Sequence, residues 1–182
     1  MSTLGTITRR AFLFGSAAVA GGVAFGVYQY RKPYPNPLSS DAEMTVLNPY
    51  LIIDQRGITI ITPRAEMGQG VHSTLAALVA EELDVRWEDV RAEHGPVSPI
   101  YYNRAVITGS APFAAFDDSL AARSTREVMG IASKFLGIQI TGGSSSMADA
   151  YVKMREAGAA ARMVMLEAAA RRWGVAASSL KT

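Results

Sequence analysis

The sequence contains no cysteine, and only two histidines, His72 and His94, among its 182 residues. The first absence excludes disulfides, thiolate nucleophiles and Cys-ligated iron–sulfur clusters, so any electron transfer needs a bound cofactor or a partner chain. Two imidazoles are too few for a typical zinc site. Net charge is also small, +2 at neutral pH, and no basic stripe interleaved with aromatics marks a nucleic-acid surface. No internal repeat shows at any period. The length suits one domain, or one domain with an appended segment.

What is present begins with a targeting pattern. Residues 1–10 are polar and end in Arg9-Arg10, and Ala11 to Tyr28 then carry no charge but much Gly and Ala. A positive start before an apolar run is set aside from fold reasoning. The stretch TRRAFLFG resembles a twin-arginine signal, used for proteins exported already folded. Eighteen uncharged residues would make a helix of about 27 Å, near the thickness of a bilayer core. No clear cleavage site follows, so both a signal and a retained anchor stay open, and the expected location is the periplasm, free or tethered to the inner membrane. Residues 31–46 read as a linker, since RKPYPNPLSSD holds three prolines within five residues and favours extended chain.

Residues 47–182 read as an α+β unit: a small mixed sheet with helices packed on it. Tyr50–Ile53 and Gly57–Thr62 are β-branched runs joined by a hairpin at Asp54-Gln55-Arg56-Gly57. A helix follows, with Leu75, Leu78, Val79 and Leu83 at helical spacing, and Val90–His94 is a further strand. Pro99, Gly109 and Pro112 break up the next stretch. Leu120–Leu136 reads as a helix whose apolar face is Leu120, Ala121, Val128, Met129, Ile131, Ala132 and Leu136. A short strand is expected in GIQIT, then a long helix from about Ala148 to Trp173. Its buried stripe is expected at Met147, Tyr151, Met154, Gly158, Ala161, Met165 and Ala168, with Lys153, Arg155, Glu156 and Arg162 facing water or a partner. Small residues from Gly158 to Ala161 would allow a close approach.

Two glycine turns stand out. Gly68 and Gly70 bracket Gln69 just before the first helix, with Ser73 and Thr74 after it. Gly142-Gly143-Ser144-Ser145-Ser146 precedes the long helix. Free backbone N–H groups, hydroxyls and a helix start favour an anionic, oxygen-rich ligand. The plain alternative is a pair of structural turns, since serine is also a preferred helix cap. Neither turn is a Walker A loop or a dinucleotide fingerprint. Two in one small unit make an elongated phosphate or pterin-like ligand more plausible than one alone.

LNPYLIIDQRGITIITPRAEMGQGVHSTLAALVAEELDVRWEDVR and TGGSSSMADAYVKMREAGAAARMVMLEAAARRWGV resemble the molybdenum-binding subunit of the isoquinoline 1-oxidoreductase type, in the xanthine dehydrogenase and aldehyde oxidase family. EMGQG followed by VAEEL and AGAAAR carry the likeness, which spans nearly the whole chain. The resemblance implies part of a molybdopterin-binding domain and a molybdopterin cytosine dinucleotide cofactor. Gly68, Gln69 and Gly70 would contact the pterin or the molybdenum end, and Gly143, Ser144, Ser145 and Ser146 the pyrophosphate or nucleotide end. It further implies an iron–sulfur subunit carrying [2Fe-2S] clusters, the remaining part of the molybdenum subunit as a partner, and a small aromatic or aldehyde substrate. Subunits of this type are several times longer, so the chain is expected to be one piece of such a subunit. Their catalytic glutamate lies in a Gly-rich motif matched by nothing here, and Glu66, Glu81 and Glu82 are no substitutes. No catalytic residue and no metal ligand is therefore assigned. Two other readings compete: a membrane-tethered cofactor-binding or interaction module without chemistry of its own, and a generic nucleotide-phosphate binder.

Overall fold

The computed structural model describes residues 3–41 and 43–180, in two compact units, Met1–Tyr34 and Pro35–Thr182. The first unit is helix α1, Thr3–Arg31. Its Ala11–Arg31 stretch is the one span among the described residues long and apolar enough to cross a membrane.

The second unit is α+β. Its four-stranded sheet has the order β1 (Met44–Asn48), β2 (Leu51–Asp54), β3 (Gly57–Thr62), β4 (Val90–His94). β1, β2 and β3 pair antiparallel, and β3 pairs with β4 in parallel. Asp54 stands opposite Gly57, so the hairpin loop is Gln55-Arg56, with Gly57 at φ 117°. β1 is a strand that the sequence reading did not contain, and it begins three residues before Leu47. Its register slips between Val46 and Asn48, a bulge that bends the strand. Asn48 Nδ2 then donates to the Ala157 carbonyl at 2.9 Å.

Helix α2 (Val71–Leu83) crosses between β3 and β4 and buries Val71, Leu75, Ala76, Val79, Ala80 and Leu83. It ends because Asp84 turns left-handed, φ 60°, and its N–H bonds back to Ala80 and Glu81. Helix α5 (Ser145–Trp173) lies against α2, and Leu75 and Val79 share one core with Leu51, Ile60, Met154 and Ala161. The two helices approach closely at Gly158: a Cβ there would sit 2.8 Å from the Val79 carbonyl oxygen. The small residues expected to admit a neighbour do so, and α2 is that neighbour.

Three local expectations are corrected. GIQIT forms no strand. Ile138 and Ile140 give their carbonyls to Asn103 N and Nδ2, at 2.8 and 3.0 Å, which occupies the groups a ladder would need. Helix α5 begins at Ser145 rather than near Ala148, because the left-handed pair Gly143 and Ser144 ends the turn there. Tyr151 and Ala168 are exposed, and Asp149, Ala150 and Ala157 take the buried side with Met154 and Ala161. Met165 is partly buried and packs on the core. The stripe is set by where α2 crosses, not by the mean apolarity of the helix.

Helix α4 (Leu120–Leu136) has the expected bounds but the opposite orientation. Ala122, Gly130 and Ser133 face inward, whereas Val128 is 66% exposed and Phe135 53%, with Leu120, Ile131 and Leu136 also exposed. The inner contact is with the short helix α3 (Arg104–Thr108). The Arg104 guanidinium lies against the Gly130 backbone, filling the space a side chain would need.

Candidate functional site

Pro63 ends β3, and the chain enters the first glycine turn at Arg64. Within that turn Glu66 folds its carboxylate back onto the main chain. Oε1 accepts from Gly68 N at 2.8 Å and Gly70 N at 2.9 Å, and Oε2 accepts from His72 N at 3.0 Å. These bonds, led by those from His72 and Gly70, pull the Glu66 pKa down to about 2. Gly68 and Gly70 hold φ of 93° and 77°, a region open to glycine and costly for other residues. The Gln69 side chain is not loose: Oε1 accepts from Met67 N at 2.5 Å and Nε2 donates to the Ala65 carbonyl at 2.8 Å. One amino hydrogen and one lone pair of its amide remain for a ligand. Thr74 Oγ1 and Ser73 Oγ both donate to the Gly70 carbonyl.

Ala65 N donates to Thr141 Oγ1 at 2.8 Å, which ties the second turn to the first. Between them lies a cleft of about 410 Å³. Gln69 and Thr74 line one side, Thr141, Ser144 and Ser146 the other, with Met67, Val71 and Met147 as apolar wall. The fold thus brings two turns far apart in sequence onto one concavity. Of the residues expected there, Gln69, Ser144 and Ser146 line the cleft. Gly68, Gly70 and Gly143 shape its rims through positive φ. Ser145 turns away and is buried; its hydroxyl donates to the Gly142 carbonyl at 2.6 Å and accepts from Asn103 Nδ2 at 2.8 Å. Ser144 starts α5 without a side-chain capping bond. Among the described residues, no cationic side chain lines the cleft.

Several contributors escaped the sequence reading. Glu66 is a structural anchor of the first turn. A buried ionic cluster joins the two turns: Arg64 pairs with Asp149 on α5, and each side chain is only 1% exposed. Arg64 Nη1 also donates to the Pro63 and Tyr101 carbonyls, at 2.8 and 2.9 Å. Asp149 further accepts from Arg104 N at 2.7 Å and from Lys153 Nζ at 2.8 and 2.9 Å. Lys153, expected to face water, instead donates to Asp149 and to the Tyr102 carbonyl. Burial lowers the Lys153 and Arg64 pKa values and the Asp149 charge works against that. The Asp149–Lys153 spacing of four on one helix was the available signal. Tyr50 and Tyr101 stack edge-on, 5.4 Å between ring centres, and burial pushes the Tyr101 hydroxyl up to about 12. Among the described residues, no group of three or more His, Asp or Glu side chains is arranged to hold a metal ion.

No family model matches the chain. It is 30% identical, over 183 residues, to isoquinoline 1-oxidoreductase subunit beta of Brevundimonas diminuta, an alignment covering 97% of this chain and 19% of that subunit. This chain is a relative of the isoquinoline 1-oxidoreductase beta subunit. It is also 26% identical, over 174 residues, to the membrane-bound aldehyde dehydrogenase [pyrroloquinoline-quinone] of Gluconacetobacter polyoxogenes, covering 93% of this chain and 18% of that protein. The chain therefore spans less than a fifth of the length of either relative.

Proposed function

We propose that this chain forms part of a molybdenum hydroxylase subunit, and that the cleft between its two glycine turns holds molybdopterin cytosine dinucleotide. The observation that carries the reading is the convergence of Gln69, Thr74, Thr141, Ser144 and Ser146 on one concavity. The donor set fits such a group: the Gln69 amide, the hydroxyls of Thr141, Ser144 and Ser146, and an α5 start without a side-chain cap suit a pterin edge and a phosphate that is not neutralised by side-chain cations. Gln69 would bind the pterin or molybdenum end, and the Gly143–Ser146 turn the pyrophosphate or nucleotide end. When bound, the molybdenum centre would supply the two-electron oxidation and oxygen transfer of an aldehyde or N-heterocycle hydroxylase.

This chain's own residues would orient the cofactor and shield it. Met67, Val71 and Met147 would cover the apolar side of the group, and Gln69 would offer its remaining hydrogen and lone pair. The base catalyst would come from the remaining part of the subunit, and electrons would leave through a [2Fe-2S] subunit. Helix α1, in which Arg9-Arg10 stand directly ahead of the apolar stretch Ala11–Arg31, supports export by the twin-arginine route and a periplasmic site, anchored or free. A membrane-tethered cofactor-binding or interaction module without catalysis of its own is the second reading; it draws on the apolar stretch Ala11–Arg31, long enough to cross a membrane.

The test is chemical analysis of the purified protein co-expressed with its partner chains. Molybdenum near one atom per chain, with cytidine monophosphate released on acid hydrolysis, is the expected result. A bound quinone with no molybdenum would overturn the assignment, the outcome in keeping with the pyrroloquinoline-quinone named for the Gluconacetobacter polyoxogenes relative. Gln69→Ala should lower turnover of the loaded enzyme by about tenfold to a hundredfold, a loss of about 1.4–2.8 kcal/mol at the transition state.

A further inference from the structure

A Gly-X-Gly turn at a helix start offers backbone N–H groups to an anion, yet here those donors are already taken. The Glu66 carboxylate accepts from Gly68, Gly70 and His72 in succession, at 2.8, 2.9 and 3.0 Å. Charge-assisted bonds of this kind are about twice as strong as neutral ones, and three on one carboxylate leave it little spare capacity. Gln69 closes the same loop from the other side through Ala65 and Met67. The polar main chain of the turn therefore points inward at Glu66, while Met67 and Gln69 form wall.

We infer that Glu66 is the positioning residue of this wall: it occupies the anion-accepting donors itself, sets the backbone at Gly68 and Gly70, and so presents Gln69 to the ligand. A second anion at this turn would meet a like charge, with the Gly68, Gly70 and His72 N–H groups already engaged. The anionic group of the ligand is thereby left to the Ser144–Ser146 turn, whose helix has no side-chain cap. Glu66 makes no contact with the ligand in this scheme. It acts through Gln69 and through the shape of the turn. The ligand's identity rests on the cofactor reading above, whereas the role of Glu66 does not.

Hydrogen exchange of the segment 66–72 tests it, on the full chain as wild type, Glu66→Ala and Glu66→Gln, each with and without inorganic pyrophosphate. Glu66→Ala should exchange about tenfold faster at Gly68, Gly70 and His72 with the interior of α2 unaffected. Pyrophosphate should restore protection at Gly68, Gly70 and His72 in the variant but add none there in the wild type, because only the variant leaves those three N–H groups free. Molybdenum retained through purification should fall severalfold. Equal exchange in wild type and variant, or pyrophosphate protection of this turn in the wild type, would overturn the inference. Should Glu66→Ala not fold, Glu66→Gln keeps the volume and one acceptor oxygen, and the same two exchange comparisons decide. A wild type without molybdenum would refute the cofactor reading alone, and the exchange data would still judge Glu66.

Discussion

Arg64 and Asp149, 85 residues apart, meet as a buried ion pair that locks the first glycine turn to the helix leaving the second. The pair sits at the junction of β3, α3 and α5, since the same carboxylate also receives Arg104 N and Lys153 Nζ. Removing one partner of a buried pair strands the other charge, which costs about 3–5 kcal/mol. Asp149→Ala should therefore lower the unfolding free energy by about that amount. Lys153→Ala, whose amine is partly solvated, should cost less, about 1–2 kcal/mol. Chemical denaturation of both variants checks the order. Equal losses would mean that Lys153, not Arg64, holds the carboxylate.

Gly158 and Gly130 should respond oppositely to alanine. At Gly158 the new methyl would meet the Val79 carbonyl oxygen at 2.8 Å and the Glu82 Cβ at 2.9 Å, backbone and near-backbone atoms that cannot step aside. Overpacking of about 1–3 kcal/mol exceeds the helix-propensity gain of about 1 kcal/mol, so Gly158→Ala should destabilise. At Gly130 the obstacle is the end of the Arg104 side chain, which can swing out, so Gly130→Ala should be neutral or mildly stabilising. Paired thermal melts decide, and a stabilised Gly158→Ala would contradict the close α2–α5 crossing.

The Glu66 carboxyl sets an acid limit on the first turn. Its folded-state pKa is lowered to about 2, against about 4.3 for a free glutamate. A lowered folded pKa contributes stability that is complete above the unfolded value and drains away as pH falls through the folded one. Stability should thus decline between about pH 4.3 and pH 2, with part of that slope absent in Glu66→Gln. Melting temperatures of both proteins across pH 2–6 provide the measurement, and parallel curves would show that the carboxylate's bonds do not persist in solution.

The outer face of α4 should tolerate polarity. Val128 and Phe135 are exposed in this unit, so Val128→Lys and Phe135→Gln should change the stability of the isolated chain by no more than about 0.5 kcal/mol. Ser133→Leu, on the buried side, should cost about 1–3 kcal/mol. Urea titration separates the two cases, and a large loss at Val128 would mean the helix packs the other way round.

Most of the larger elements were legible in the sequence because their signals are local, whereas β1 and α3 were not and GIQIT formed no strand. β-branched runs and a two-residue turn define the β2–β3 hairpin. The spacing of Leu75, Val79 and Leu83 defines α2, and Ser119 and Gly137 cap α4 at the bounds its pattern suggested. The glycine turns were visible too, since positive φ at Gly68, Gly70 and Gly143 is a demand one residue type meets readily. Tertiary structure decided the rest. Periodicity marks an apolar stripe but not which side of the helix finds a neighbour, so α4 turned its small residues inward to meet Arg104, and α5 buried the side that α2 crosses. That Glu66 would satisfy the donors expected to be free depended on a loop closing on itself, and the Arg64–Asp149 pair depended on two distant segments meeting. Hydrogen bonds and ion pairs between residues remote in sequence follow from where the backbone goes, and that path was set by burying Leu75, Val79, Met154 and Ala161 together.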